Sequence, residues 1–142
     1  MTKILVIADQ QNNEIKKSTF NVLAGAQELA KRIGADYDIL LLGGNVSAKA
    51  DELASYGAGT VYTISGNDYA NYLAQPYANA VRELAVRIGA THICASASST
   101  GKDMLPRVAA ALGAGMVADC IGFEGDGAGT LYRRRGSRRL KG

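Results

Sequence analysis

The chain has 142 residues, 47% of them hydrophobic and 20% charged, a length and composition that predict one globular domain. No run approaches the roughly 20 apolar residues of a membrane span, and the first strand-like run is too short for a secretory signal, so we expect a cytoplasmic protein that is not inserted into a membrane. The net charge of +3 is uneven: residues 133–142 hold six of the 16 Lys and Arg residues and no acid, and residues 1–132 carry a net charge of −3.

Five apolar runs along the chain have the length of strands. They span Lys3 to Ala8, Tyr37 to Leu42, Thr60 to Ile64, Thr91 to Ala95, and Met116 to Phe123. Because these runs are continuously apolar rather than alternating, they are typical of parallel strands buried on both faces.

Helical patterns separate these strands. The first begins at Ser18, taken as its N-cap, and reaches Ile33, and the second covers Ser47 to Tyr56. The third falls between Asp68 and Ile88. It contains Pro76, so either it is two pieces or its long part begins near the proline.

Four of the helical runs close on a glycine. These glycines, which are Gly34, Gly57, Gly89 and Gly113, are spaced by 23, 32 and 24 residues, about the size of one strand–helix unit. Glycine suits the left-handed position just past a helix end. Strand and helix therefore alternate, which predicts an α/β fold: a doubly wound, three-layer α/β/α sandwich with a mainly parallel sheet of about five strands.

The end of the chain has a different pattern. A turn-rich link from Glu124 to Gly129 leads to a short predicted strand at Thr130 to Tyr132. We place the domain at residues 1–132 and expect residues 133–142 to be a basic, disordered tail. Aromatic residues do not interleave with its charges, and it has no amphipathic period, so we do not expect nucleic-acid binding.

Four loops follow the carboxyl ends of predicted strands, where ligands of open α/β sheets collect. They begin at Asp9, Gly43, Ser65 and Ser96. The last of them resembles a phosphate-binding P-loop, but Ser96 and Asp103 stand where that motif needs Gly and Ser or Thr, so nucleoside-triphosphate hydrolysis is excluded. The letters of a dinucleotide fingerprint from Gly113 to Ala118 follow a helix instead of a strand and are a chance match.

The fourth loop runs into a predicted helix. If Asp103 caps that helix, Pro106 falls in its first turn, and Lys102 and Arg107 flank the same end. Hydroxyls, backbone N–H groups and two cations would then face one spot. It could receive a phosphate, an acidic partner or a carboxylate of another domain, or it could be a solvated helix start. We expect His92 to be structural, and Cys94 and Cys120 to be buried thiols rather than metal ligands.

Residues 95–110, ASASSTGKDMLPRVAA, followed by Ala118-Asp119-Cys120, resemble the signature of electron-transfer flavoprotein alpha subunits. In that family a Ser/Thr-rich loop precedes Gly-Lys-Asp-Leu-Leu-Pro-Arg and a helix of small residues. The opening run from Ile4 to Ala8 is also similar to the family. The resemblance covers about residues 1–132 and implies an adenine nucleotide alpha hydrolase-like sandwich, the N-terminal domain of the large subunit.

The resemblance also implies a function. Members pair an alpha with a beta subunit and carry electrons on FAD from dehydrogenases to an acceptor, as electron carriers rather than enzymes. A second, C-terminal alpha domain makes most FAD contacts; we expect that domain to be absent here, so that the truncated chain binds no FAD alone. By resemblance, the candidate domain or subunit contact near the cofactor consists of Ser99, Thr100, Gly101, Lys102, Asp103 and Arg107. The alternative is a stand-alone α/β module that binds an adenine nucleotide.

Overall fold

The computed structural model describes the backbone of residues 3–96, 98–112, 120–124, 131–134 and 139–141, and the side chains of residues 3–96 and 98–112. The strands are β1 (Lys3–Ala8), β2 (Gln10–Gln11), β3 (Glu14–Ile15), β4 (Asp36–Gly43), β5 (Val61–Ser65), β6 (His92–Ala95), β7 (Cys120–Glu124), β8 (Leu131–Arg134) and β9 (Arg139–Lys141). The helices are α1 (Ser18–Ile33), α2 (Ala50–Ala54), α3 (Ala74–Ile88) and α4 (Ser99–Leu112).

Four strands form a parallel sheet in the order β5-β4-β1-β6. The two central strands are buried along almost their whole length, which explains why their sequences are mostly apolar; the exception within the buried part is Asp38 of β4. The bounds predicted for these four strands agree with the structure to within one residue at each end.

Two hydrophobic cores lie on opposite faces of this sheet. Leu5 and Ile7 of β1 face α3 and α4, which contribute Val81 and Met104 to the same core. On the other face, the alternate β1 residues pack against α1 and α2; that core includes Ile4, Val6, Leu23, Leu29 and Leu53. The predicted doubly wound, three-layer α/β/α sandwich is therefore confirmed.

The predicted fifth strand of the parallel sheet is wrong in its placement. Within the described residues, β7 pairs only with β8, in an antiparallel sheet of order β7-β8-β9. Strand β8 runs alongside β7 in the opposite direction, whereas the strands of the parallel sheet all run in the same direction. Residues 116–119 of the predicted strand lie outside the described residues.

Two of the predicted helices are each divided. The run from Ser47 begins with a 3₁₀ turn, Ser47–Lys49, and continues as α2, which ends at Ala54 rather than Tyr56. The third run consists of a second 3₁₀ turn, Asn67–Tyr69, and α3. Pro76 lies in the first turn of α3, where its missing N–H has no intrahelical acceptor to lose.

The predicted left-handed glycines are confirmed just past the helix ends at Gly34 and Gly89, and Gly57 has the same conformation three residues after α2. Gly34, Gly57 and Gly89 have φ angles of 64°, 86° and 69°, the left-handed conformation that side chains with a Cβ disfavour. The N–H groups of Gly34 and Gly89 turn back onto carbonyls in the last turns of α1 and α3. Gly113 lies outside the described residues, as does the predicted link from 125 to 129.

The two predicted helix caps are wrong. Lys17 occupies the N-cap position of α1 and makes no side-chain cap, while the Ser18 hydroxyl donates to Asp9. Helix α4 begins at Ser99, so Asp103 is inside it and Pro106 is well past its first turn. Ser98 is the cap instead, because its Oγ accepts the N–H of Gly101 at 3.2 Å.

Strand β8 agrees with the short strand predicted near Thr130, although Thr130 itself lies outside the described residues. Strand β9 falls within the segment predicted as a disordered tail. In the part of the chain that the structure describes, no helix combines the length and the apolar character needed to cross a bilayer.

Candidate functional site at the switch point of the sheet

The order of the strands creates one crevice at the carboxyl edge of the sheet. From β1 the chain moves to β4 and β5, and it then crosses back to β6 on the other side of β1. Helix α1, which follows β1, and helix α4, which follows β6, therefore lie on opposite faces. In open α/β sheets such a switch point is where ligands bind.

A buried carboxylate occupies the floor of this crevice. Asp9, the residue after β1, is 9% exposed, and its Oδ2 accepts hydrogen bonds from three serine hydroxyls. Ser96 and Ser98 donate from the loop after β6 at 2.7 and 2.8 Å, and Ser18 donates from the first turn of α1 at 3.3 Å. One side chain thus joins the two strand–helix connections at the switch point.

The backbone around Asp9 is also fixed. Its N–H donates to Thr19 Oγ1 at 2.8 Å, and the Thr19 hydroxyl donates back to the Asp9 carbonyl at 3.1 Å. Thr19 is fully buried. Both the backbone N–H and the backbone carbonyl of Asp9 are therefore hydrogen-bonded without solvent.

Gly101 is required by the close approach of α4 to the preceding loop. A Cβ at this position would lie 2.0 Å from the Ser96 carbonyl oxygen. The absence of a side chain thus lets the first turn of α4 rest against the residue that holds Asp9.

A short hairpin folds over the same edge. Strands β2 and β3 are joined by Asn12 and Asn13, which both have positive φ angles, as a tight turn of the type found in two-residue hairpins requires. The Asn13 Oδ1 accepts the N–H of Asn45 in the loop after β4, and Lys49 pairs with Glu14 at 3.0 Å. The hydrogen bond to Glu14 is the largest of the effects that raise the pKa of Lys49.

Between this hairpin and the start of α4 lies a mainly polar cleft of about 270 Å³. Its lining includes Asp9, Gln10, Lys16, Tyr72, Tyr77 and Thr100. Burial is the main cause that raises the pKa of Tyr77, and the Tyr77 hydroxyl donates to the Tyr69 carbonyl at 2.6 Å.

Tyr72 closes the cleft on the side of α4. Its hydroxyl donates to Asp103 Oδ2 at 2.6 Å, and burial together with this bond raises the pKa of Tyr72 to about 12. Asp103 also pairs with Arg107, one turn further along α4, at 3.6 Å. Asp103, predicted as a cap, instead links the loop after β5 to the middle of α4.

The six predicted contact residues occupy different sides of α4 because they are nearly consecutive. Ser99, Lys102, Asp103 and Arg107 are exposed, whereas Thr100 is half-buried against the cleft. Gly101 is buried and therefore serves packing rather than an external contact.

The histidine and cysteine predictions can be followed in part. His92 and Cys94 are half-buried in β6, and burial lowers the pKa of His92. The side chain of Cys120 lies outside the described residues. Among those residues, no group of three or more His, Cys, Asp and Glu side chains is arranged to hold a metal ion.

Comparison with known proteins decides the family of the chain. Residues 4–136 match the family model of the electron transfer flavoprotein domain. The chain belongs to this family. The match extends past residue 132, where the sequence pattern ended the domain.

Several curated alpha subunits are similar to this electron transfer flavoprotein domain. The electron transfer flavoprotein subunit alpha of Thermoanaerobacterium thermosaccharolyticum is 33% identical over 132 residues, which are 93% of this chain and 40% of the relative. The corresponding subunit of Pseudomonas aeruginosa is 34% identical over 119 residues, covering 83% of this chain and 37% of the relative.

A third relative is named as a dehydrogenase subunit. The lactate dehydrogenase (NAD(+),ferredoxin) subunit LctC of Acetobacterium woodii is 34% identical over 121 residues, which are 85% of this chain and 29% of the relative. The chain therefore spans about 30 to 40% of the length of these relatives.

The sequence interpretation missed the residues that build the switch point. Asp9, Ser18 and Ser96 lie in or next to loops that were recognised as candidates, yet they were not joined into one site. The missing information was the adjacency of β1 and β6. Strands β1 and β6 are separated by 83 residues, and no local pattern signals that two such distant parallel strands pair. The doubly wound strand order, in which the chain returns to the other side of the first strand, is the signal that suggests this pairing.

Proposed function

We propose that this chain is the platform domain of an electron transfer flavoprotein alpha subunit. It would form a heterodimer with a beta subunit. The heterodimer would carry electrons from dehydrogenases to an acceptor through FAD, as a carrier and not an enzyme. The observation that supports this function is the family match over residues 4–136, which includes the switch-point loops and the whole of α4.

The contact with a second domain or subunit uses the outer side of the first turns of α4. Lys102 and Arg107 are exposed there, at the carboxyl edge of the sheet. Pro106, also exposed, has no N–H to donate to the carbonyl of Lys102. A surface with exposed cations suits a partner with acidic groups.

FAD is held by the complete heterodimer in this proposal, and the 142-residue chain binds none by itself. The resemblance assigns most FAD contacts to a C-terminal alpha domain, with the N-terminal domain and the beta subunit forming a base. The mainly polar cleft at the switch point, about 270 Å³, is smaller than most pockets that enclose drug-sized ligands, so this cleft by itself does not suit FAD.

The alternative of an independent adenine-nucleotide module has less support. The carboxylate of Asp9 lies at the switch point, where the phosphates of a nucleotide would otherwise meet the helix N-termini. The negative charges of the Asp9 carboxylate and of a phosphate bound beside it would repel each other, so phosphate binding is disfavoured at the switch point.

The first experiment measures cofactor binding in two samples. The chain is purified alone and after co-expression with an electron transfer flavoprotein beta subunit, and each sample is titrated with FAD and with AMP. We expect no flavin absorbance and no saturable AMP binding from the lone chain, and co-purification of the beta subunit with it. Tight AMP binding by the lone chain would favour the nucleotide module, and a yellow lone chain would show that it contains the flavin determinants.

A further inference from the structure

The carboxylate of Asp9 is held by chemistry that proteins use for bound oxyanions. Its Oδ2 receives three hydroxyl hydrogen bonds, and two of the donors, Ser18 and Ser98, stand at the first residue of α1 and at the N-cap of α4. Helix N-termini and hydroxyls are the groups that commonly bind phosphate and sulfate. Here they converge on a side chain of the same domain.

Cations do not explain this arrangement. Within the described residues Asp9 makes no ion pair with Lys, Arg or His, although it is more than nine-tenths buried. The other buried carboxylate, Asp38, pairs with Lys3 at 3.3 Å and accepts the N–H of Thr60. A buried charge needs compensation, and for Asp9 the hydroxyls and the helix ends provide it.

Two of the three donors have contacts besides the carboxylate. Ser98 Oγ accepts the N–H of Gly101 while it donates to Asp9, so the capping of α4 holds that oxygen in position. The backbone of Ser96 lies close against Gly101, and the Ser96 Oγ also lies 3.3 Å from Ser98 Oγ. Removal of the Asp9 carboxylate would therefore leave these two hydroxyls beside a vacated space.

We propose that the switch point is an oxyanion site that Asp9 fills with its own carboxylate. In the native chain the site is closed to the phosphate of any nucleotide. When the side chain of residue 9 is shortened, the same hydroxyls donate hydrogen bonds to a small external oxyanion, such as formate or inorganic phosphate, that binds in its place. This inference concerns the domain alone and does not depend on the proposed electron-transfer role.

The experiment compares the full chain with Asp9→Ala and Asp9→Asn. Thermal unfolding of each is followed at pH 7 in sodium formate, sodium phosphate and sodium chloride at equal ionic strength. For Asp9→Ala we expect a saturable rise in Tm in formate over chloride, of about 4 °C at tenfold the formate Kd. If this variant is unfolded in chloride, formate should restore its folding.

Two controls make the result specific. The native chain and Asp9→Asn keep the space filled, and neither should gain Tm in formate or phosphate beyond the general effect of salt. Phosphate distinguishes the size of the opened site: a rise with both anions indicates room for a tetrahedral oxyanion, and a rise with formate alone indicates a site that fits only a carboxylate. Both results support the proposal.

Three results would overturn it. The first is a saturable response of the native chain to phosphate, which would mean that Asp9 does not close the site. The second is an equal response of Asp9→Asn and Asp9→Ala, which would show that the effect does not depend on the space left by the side chain. The third is an Asp9→Ala variant that neither formate nor phosphate stabilises or refolds.

Discussion

Gly101 marks the point where the first turn of α4 touches the chain leaving β6. In an open helix position, Ala is more favourable than Gly by about 1 kcal/mol because it restricts the unfolded chain and covers the backbone. At residue 101 the added Cβ would meet a carbonyl oxygen at 2.0 Å, so backbone would have to move. Packing here overrides helix propensity.

We therefore expect Gly101→Ala to lower the free energy of unfolding by about 1 to 3 kcal/mol, the usual cost of overpacking. Urea denaturation followed by circular dichroism measures the change. Gly66→Ala is the matched control: its Cβ would meet Tyr69 at an ordinary 3.6 Å, and we expect a change within about 0.5 kcal/mol. A Gly101→Ala protein as stable as the native chain would contradict the close contact.

The cap of α4 illustrates what local sequence can and cannot predict at this scale. Ser98 and Asp103 are both good capping residues, and Pro106 fits a first turn best if the helix begins at Asp103. Ser98 is the cap because its hydroxyl is positioned by a hydrogen bond to Asp9, which lies 89 residues away in the sequence. Propensity identified the helix, and a distant contact determined where it begins.

The helices and strands with strong apolar patterns are predictable from the sequence because burial is the dominant cause of such patterns. The central strands β1 and β4 match their apolar runs because burial on both faces favours apolar side chains, and the buried Asp38 of β4 is compensated by its ion pair with Lys3. Strand β7 shows the limit of this reasoning. Its apolar run indicates a strand, but the antiparallel partner depends on the chain after it.

Strand β6 also carries the single histidine of the chain. Burial lowers the pKa of His92 below its ordinary value of 6.5, so over the interval between the two values the unfolded chain binds more protons than the folded chain. The contribution of His92 to stability is complete above about pH 6.5 and is lost as the pH falls toward the lowered pKa.

We expect the native chain to lose more stability than His92→Gln when the pH falls from 7.5 to 5. Urea denaturation at several pH values measures both proteins, and the imidazole signals of the native chain report its pKa directly by NMR. Parallel stability curves for the two proteins, or an imidazole pKa at or above 6.5, would contradict the burial effect.

At the scale of the whole molecule, the candidate site depends on the order of the strands. The repeated strand–helix units predict the sandwich, and the residues from Ser98 to Arg107 indicate the family without any knowledge of the sheet order. The order itself, β5-β4-β1-β6, brings the loops after β1 and β6 together. That adjacency follows from the assembly of the entire sheet, so no single motif contained it.

The contact surface that we propose on α4 also depends on the whole domain. Lys102 lies near the start of α4, at the carboxyl edge of the sheet, whereas Lys31 lies in the last turn of α1, at the opposite edge. Both lysines are exposed. A negative charge is tolerated near a helix N-terminus and is less favourable near a C-terminus, so Lys31→Glu is the more disruptive change for the fold.

The dissociation constant for an electron transfer flavoprotein beta subunit tests the central claim most directly. It is measured by isothermal titration calorimetry for the native chain, Lys102→Glu and Lys31→Glu. We predict saturable binding by the native chain, binding at least tenfold weaker for Lys102→Glu, and no change for Lys31→Glu. No binding by the native chain, or equal losses in the two variants, would contradict the account.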